Sequence, residues 1–111
     1  MEYRIKTSKA FDREIKRLSK RYHSMADDYE RLLNEIEGNP HLGTDLGGGL
    51  RKIRMAITSK GRGKSGGARV ITFTVVVSVA EAEINLLYIY DKAERSSISK
   101  KEIAQLIAEN L

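Results

Sequence analysis

The first half of the chain carries its hydrophobic residues mainly at helical spacing. It opens with a short stretch, residues 2–6, in which Tyr3 and Ile5 share one face and predict a strand. Beyond it, apolar residues recur every three or four positions, which is typical of helices that bury one side. The first helical stripe consists of Phe11, Ile15, Leu18 and Tyr22. The second consists of Met25, Tyr29, Leu32, Leu33 and Ile36.

Residues at the ends of these stripes predict where the helices begin and end. Ser24 is expected to cap the second helix, and Gly38 is expected to end it in a left-handed conformation before Asn39-Pro40. Ser99 and Glu102 have the spacing of a capping box. They therefore predict a third helix near the end of the chain, with an apolar stripe of Ile103, Leu106 and Ile107.

The second half changes to a period of two, which indicates strands. Residues 51–57 alternate between polar and apolar and predict a half-buried strand. Its buried face is expected to consist of Ile53, Met55 and Ile57. Residues 68–77 and 84–90 are rich in β-branched and aromatic residues and predict central strands, joined by a hairpin connection at residues 78–83.

The predicted order of elements is βααβββα, which indicates an α+β fold in a single domain over residues 1–111. Strands joined by short loops run antiparallel. We therefore expect an antiparallel four-stranded sheet with an N-terminal helical hairpin and a C-terminal helix.

Composition narrows the compartment and the class of partner. The chain has no cysteine and no apolar run long enough to span a bilayer, and we expect a cytoplasmic protein without membrane contact. The net charge is +5, and its excess lies in one stretch, residues 50–69, called here the basic segment. That segment has no acidic residue and seven cations: Arg51, Lys52, Arg54, Lys60, Arg62, Lys64 and Arg69. Such one-sided charge favours an anionic partner such as nucleic acid.

A glycine-rich stretch within the basic segment matches a nucleotide-binding pattern only in its letters. Residues 61–66 read GRGKSG, but Gly66-Gly67 runs into a predicted strand, whereas a dinucleotide fingerprint opens a helix. A P-loop would also need glycine in place of Thr58. We interpret the stretch as a hairpin loop that lets a phosphate backbone approach while Lys60, Arg62 and Lys64 neutralise it.

Strand alternation predicts which side chains meet. If the apolar face of residues 51–57 packs on the helices, Lys52 and Arg54 point to the other side of the sheet. The same alternation places Leu87 and Ile89 on one face of the last strand and Tyr88, Tyr90 and Lys92 on the other. The predicted surface therefore combines Lys52, Arg54, Arg69, Tyr90 and Lys92. Cations beside an aromatic ring suit single-stranded RNA, although tyrosine is also common in ordinary strands.

Three segments resemble the HigB-type branch of the RelE toxin family: residues 50–54 (LRKIR), 61–71 (GRGKSGGARVI) and 86–92 (LLYIYDK). They occur in the family's order and at similar spacing. The N-terminal helical hairpin and the Asn39-Pro40 turn also fit, so the resemblance covers nearly the whole chain. It implies a RelE-like fold and a toxin of a type II toxin–antitoxin system that cleaves mRNA engaged on the ribosome. It also implies an antitoxin partner, commonly with a helix-turn-helix DNA-binding domain.

The resemblance carries over to individual positions. It implies catalytic roles for Arg54, Arg69 and Lys92. Taken with the charge pattern and the strand alternation, it gives a predicted catalytic set of Arg54, Lys64, Arg69 and Lys92 and a predicted RNA-binding set of Lys52, Lys60, Arg62 and Tyr90. The chain departs from the best-known RelE pattern at Ala93, where that pattern carries an arginine, and at Ser99, near the place of a late tyrosine.

The expected chemistry is attack of an RNA 2′-hydroxyl on its neighbouring phosphate. Preorganised cations stabilise the charge that develops on the phosphoryl oxygens, so no metal and no cofactor is expected. Two other functions remain open from the sequence: a gyrase inhibitor of the ParE type, which shares the fold, and a non-catalytic RNA- or ribosome-binding protein. A degenerate toxin kept as a regulatory partner is a further alternative.

Overall fold

The computed structural model describes residues 1–111 and contains three helices and five strands. The elements are β1 (Glu2–Thr7), α1 (Lys9–Arg21), α2 (Met25–Gly38), β2 (Thr44–Gly47), β3 (Leu50–Met55), a 3-10 turn (Thr58–Lys60), β4 (Ala68–Val76), β5 (Glu81–Asp91) and α3 (Lys100–Asn110). The predicted α+β class is confirmed. The observed order is βααββββα, which has one strand more than predicted, β2.

The sheet has five strands in the order β1-β5-β4-β3-β2, and it is mixed. The strands from β2 to β5 are antiparallel, as short connections require, but β1 runs parallel to β5. The prediction of a four-stranded, wholly antiparallel sheet is therefore wrong. Short loops impose antiparallel pairing, but β1 is followed by a helical hairpin, which leaves the direction of that strand free.

Helices cover both faces of the sheet. Helices α1 and α2 bury their apolar stripes against β3, β4 and β5 on one face. That core includes Phe11, Leu18, Leu32, Ile36, Ile53, Met55, Val70, Leu86 and Ile89. On the other face, Ile103 of α3 packs with Ile71 and Leu87 in a smaller cluster. Lys52 and Arg54 of β3 and Arg69 of β4 share that second face with α3.

A β-bulge in β5 changes which side chains share a face. The pairing of β4 with β5 passes from Ile71–Tyr88 to Thr72–Leu86 and skips Leu87. An extra residue shifts the two-residue alternation. Leu87 therefore contacts the α3 cluster, whereas Ile89 lies in the α1–α2 core. The prediction that Leu87 and Ile89 share one face is wrong for this reason.

Capping interactions agree with the sequence at α3 and differ at α2. The hydroxyl of Ser99 accepts a hydrogen bond from the Glu102 amide at 3.1 Å, and the Glu102 carboxylate accepts one from the Ser99 amide at 3.2 Å, which confirms the capping box. Ser24 precedes α2, but its hydroxyl binds the Asp28 carboxylate and makes no cap bond to the helix backbone. Gly38 is the last helical residue, without the expected left-handed conformation.

None of the helices has both the length and the apolar character that a membrane crossing requires.

Candidate nucleic-acid interface

Three cations line up on the α3 side of the sheet. Arg54 of β3 lies opposite Arg69 of β4, which in turn lies opposite Tyr90 of β5. Lys52 is two residues from Arg54 on the same face and pairs with Ile71, which contacts α3. We call Lys52, Arg54 and Arg69 the basic face. Arg54 is exposed, Lys52 is half-buried and Arg69 is only 7% exposed.

Arg69 anchors the glycine loop, defined here as residues 61–67. Its Nη1 donates to the carbonyl oxygens of Lys64 at 2.9 Å and Ala68 at 3.1 Å, and its Nη2 donates to that of Ser65 at 3.3 Å. A guanidinium suits this role because its planar fork reaches several oxygens at once. None of these partners is a carboxylate, so the buried positive charge of Arg69 is not neutralised by them.

The glycine loop approaches the sheet closely at its end. A Cβ atom at Gly67 would lie 2.1 Å from the carbonyl oxygen of Met55, so no side chain fits there. Gly61 and Gly63 adopt φ angles of 68° and 62°, which favour glycine. The loop leads into β4 and not into a helix, as predicted from the sequence. A dinucleotide-binding loop would open a helix.

Lys64 lies on the glycine loop, near α2. Its ammonium group is 4.0 Å from the Glu35 carboxylate of α2, and its side chain is 59% exposed. Lys52, Arg54 and Lys64 line one cavity of about 200 Å³. Three of the predicted site residues are therefore brought together in this cavity.

Tyr90 is buried beside Arg69 and beneath Arg95. It is 2% exposed, so its ring is not available to stack on an RNA base, and the predicted stacking role does not fit this structure. Arg95 lies over the ring with its Cζ 5.6 Å from the centroid, and it donates to the Glu102 carboxylate at 2.7 Å. Burial raises the pKa of Tyr90, although the charges of Arg69 and Arg95 oppose the rise. The phenol is therefore neutral at pH 7.

Arg95 was missed in the sequence because it lies outside the basic segment. The only available signal was its position within residues 91–96 (DKAERS), next to the departure at Ala93. The structure places its guanidinium against the aromatic end of the Arg54–Arg69–Tyr90 row.

Lys60 forms a buried ion pair and does not lie free on a mobile loop. Its ammonium group is 2.8 Å from the Asp91 carboxylate, and the two side chains are 11% and 0% exposed. The same carboxylate accepts hydrogen bonds from the Tyr22 hydroxyl and the Ala93 amide. Burial would raise the pKa of Asp91, but the hydrogen bonds from Lys60, Tyr22 and Ala93 outweigh it and lower that pKa. The charge of Lys60 is therefore already neutralised, and we do not include Lys60 among the residues proposed to bind RNA.

Arg62 and Lys92 line a different cavity, called here the loop pocket. It has a volume of about 360 Å³ between the end of α1 and the glycine loop. Its lining consists of Arg21, Tyr22, Lys60, Arg62, Gly66, Lys92 and Ala93. The amide of Lys92 donates to the Gly67 carbonyl oxygen at 3.0 Å, which ties the end of β5 to the loop. Neither Arg54 nor Arg69 lines this cavity, although the predicted catalytic set combined both of them with Lys92.

Comparison with models of known protein families shows which family the chain belongs to. Residues 3–110 match the family model described as the RelE toxin of the RelE/RelB toxin–antitoxin system. The match covers nearly the whole chain, and such toxins act in systems that pair them with an antitoxin. The chain belongs to the RelE family of toxins.

Proposed function

We propose that this toxin is a metal-independent endoribonuclease of the HigB-type branch, which cleaves mRNA on the ribosome and so inhibits translation. The observation that carries the proposal is the unneutralised charge of the basic face. Within the basic segment, ion pairs are formed by Arg51, Lys60 and Lys64. Lys52, Arg54 and Arg69 have no acidic partner, so this face is complementary to an anion.

The proposed reaction begins with the 2′-hydroxyl of one ribose. Its oxygen attacks the adjacent phosphorus as its proton leaves, and the bond from phosphorus to the 5′-oxygen of the next nucleotide breaks. That oxygen takes up a proton. The products are a 2′,3′-cyclic phosphate and a 5′-hydroxyl, and no external oxidant or water is consumed. Negative charge grows on the phosphoryl oxygens in the transition state, where fixed cations stabilise it.

Exposure and anchoring suggest how the site residues divide this work. Arg54 and Lys64 are exposed and are proposed to contact the reacting phosphate, with Lys52 beside them. Arg69 is proposed to act from below, because it holds the loop that carries Lys64 and places a buried positive charge next to Arg54. It is a positioning residue in this arrangement.

Proton transfer in the proposed reaction depends on the ribosome complex. The chain has Ala93 where the best-known RelE pattern carries an arginine, and Ser99 near the place of its late tyrosine, and the Tyr90 phenol is buried. We propose that the bound message and ribosome complete the site. The proposed partners are therefore mRNA, the ribosome and an antitoxin with a helix-turn-helix domain, and the proposed site of action is the cytoplasm.

Expression of the toxin without its antitoxin should stop protein synthesis in a bacterial cell. The physical reason is that the basic face would act on messages under translation. Pulse labelling with a radioactive amino acid measures this directly, and a gyrase supercoiling assay on the purified protein is the control. Continued labelling at high soluble expression would contradict the proposal, and inhibition of supercoiling would indicate a ParE-type function instead.

A further inference from the structure

The loop pocket holds two cations that no acidic side chain neutralises. Of its four basic residues, Arg21 is paired with Glu94 at 2.9 Å and Lys60 with Asp91 at 2.8 Å. Arg62 and Lys92 are exposed and form no ion pair. They come from different parts of the chain, the glycine loop and the turn after β5, so the fold and not local sequence brings them to one cavity.

Two close contacts shape the walls of the pocket. The stem of Arg62 lies against Gly66, since a Cβ atom at Gly66 would lie 2.5 Å from the Arg62 Cβ. The Tyr22 ring forms another wall, with the Lys60 ammonium 5.5 Å from its centroid. The hydroxyl of Tyr22 is already committed to Asp91. What the pocket offers a ligand is therefore positive charge beside an aromatic ring.

We propose that the loop pocket is a second anion site, separate from the basic face, that holds a backbone phosphate of RNA. A phosphate oxygen can accept charge-assisted hydrogen bonds from Arg62 and Lys92 together. The glycine loop links the two sites, because Arg69 holds its Lys64 and Ser65 carbonyls while Arg62 and Gly66 line the pocket. The choice of RNA as the source of phosphate rests on the proposed function.

The double variant Arg62→Gln, Lys92→Gln tests the pocket by binding alone. The ligands are a 2′-O-methyl oligoribonucleotide, which the proposed reaction cannot cleave, and vacant ribosomes without message. We expect a Kd roughly tenfold higher for at least one ligand at low salt. The log–log salt slope for that ligand should fall by about 0.7 for each lost single-strand phosphate contact. The matched control, Lys9→Gln with Lys101→Gln, removes the same charge from exposed positions on α1 and α3 and should bind like the wild type.

The two ligands identify the source of the phosphate. Weaker binding of the oligonucleotide assigns the pocket to the message, whereas weaker binding of vacant ribosomes alone assigns it to ribosomal RNA. Arg62→Lys with Lys92→Arg keeps both charges and should restore binding. If the double glutamine variant binds both ligands as tightly as the wild type does, the inference is overturned. An acidic polypeptide would then be the next candidate ligand for the pocket.

A melting experiment distinguishes lost binding from misfolding of the variant. A cleavage assay of the wild type tests the proposed nuclease independently of the pocket. Both glutamine substitutions are at exposed positions, so the melting temperature should change by only about 2 °C. If the double variant melts much earlier, Lys92→Gln alone provides the binding test. Absence of cleavage by the wild type would contradict the proposed nuclease, while the binding data would still decide whether the pocket holds RNA.

Discussion

Replacement of Arg69 by alanine is expected to lower the rate of message cleavage on the ribosome by about 10²-fold, the loss that a displacement of the reacting groups by about 1 Å can cause. Two physical losses combine. The buried charge beside Arg54 disappears, and the carbonyls of Lys64 and Ser65 lose the guanidinium that fixes the glycine loop. Single-turnover cleavage of a ribosome-bound message measures the rate.

Arg69→Lys is the control that separates these two losses, because it keeps the charge and removes the planar fork. Substantial recovery of cleavage in Arg69→Lys would mean that charge dominates, whereas a loss as large as that of alanine would mean that anchoring of the loop dominates. Removing these hydrogen bonds should also cost about 1–3 kcal/mol of unfolding free energy, so thermal melts accompany the kinetics. Cleavage at the wild-type rate by a folded Arg69→Ala variant would contradict the assigned role.

The second large effect is expected in stability and concerns Asp91. Asp91→Ala should lower the free energy of unfolding by about 3–5 kcal/mol at pH 7, because it leaves the Lys60 ammonium group buried without its counter-charge. The Tyr22 hydroxyl loses its acceptor as well. Urea unfolding followed by circular dichroism measures the change.

The matched variant replaces both members of the ion pair. Lys60→Met with Asp91→Leu should recover a large part of the lost stability, since a hydrophobic pair of similar volume avoids the cost of burying charge. A loss of less than about 1 kcal/mol in Asp91→Ala would contradict a buried, structural ion pair, because exposed pairs contribute only that much.

Acid should reduce the difference between the wild type and Asp91→Ala. The pKa of Asp91 is lower in the folded protein than its ordinary value of 3.8. The stabilisation is therefore fully present above that ordinary value and is lost as the pH falls through the folded pKa. The pKa of Asp28 is also lowered despite its burial, by hydrogen bonds from Thr58, Ser24 and Arg31, so wild-type stability should fall in the same acidic range.

Periodicity predicted most of the elements because most of them bury one face. The alternation of β3 put Arg54 on the face of the sheet turned away from the α1–α2 core. Because β4 is the adjacent antiparallel strand, Arg69 could be expected near Arg54 on that face. Strand β2 was missed because it has only four residues, all exposed, and no buried side to produce a pattern.

Features set by distant contacts were not predictable from local sequence. The ion pair of Lys60 with Asp91 joins residues 31 positions apart, so a count of charges in the basic segment could not reveal that one cation was already neutralised. The bulge at Leu87 follows from pairing with β4, and it shifted the faces that simple alternation assigned. The cavity lined by Arg62 and Lys92 likewise depends on how the end of α1 lies beside the loop.

The chemistry of the cut ends on a ribosome-bound message tests the central claim most directly. Wild-type toxin is incubated with ribosomes stalled on a defined mRNA, and the ends of the fragments are then identified. The proposed mechanism predicts fragments with a 2′,3′-cyclic phosphate at one end and a 5′-hydroxyl at the other. A message that stays intact while the toxin is bound, or fragments that carry a 5′-phosphate, would contradict it.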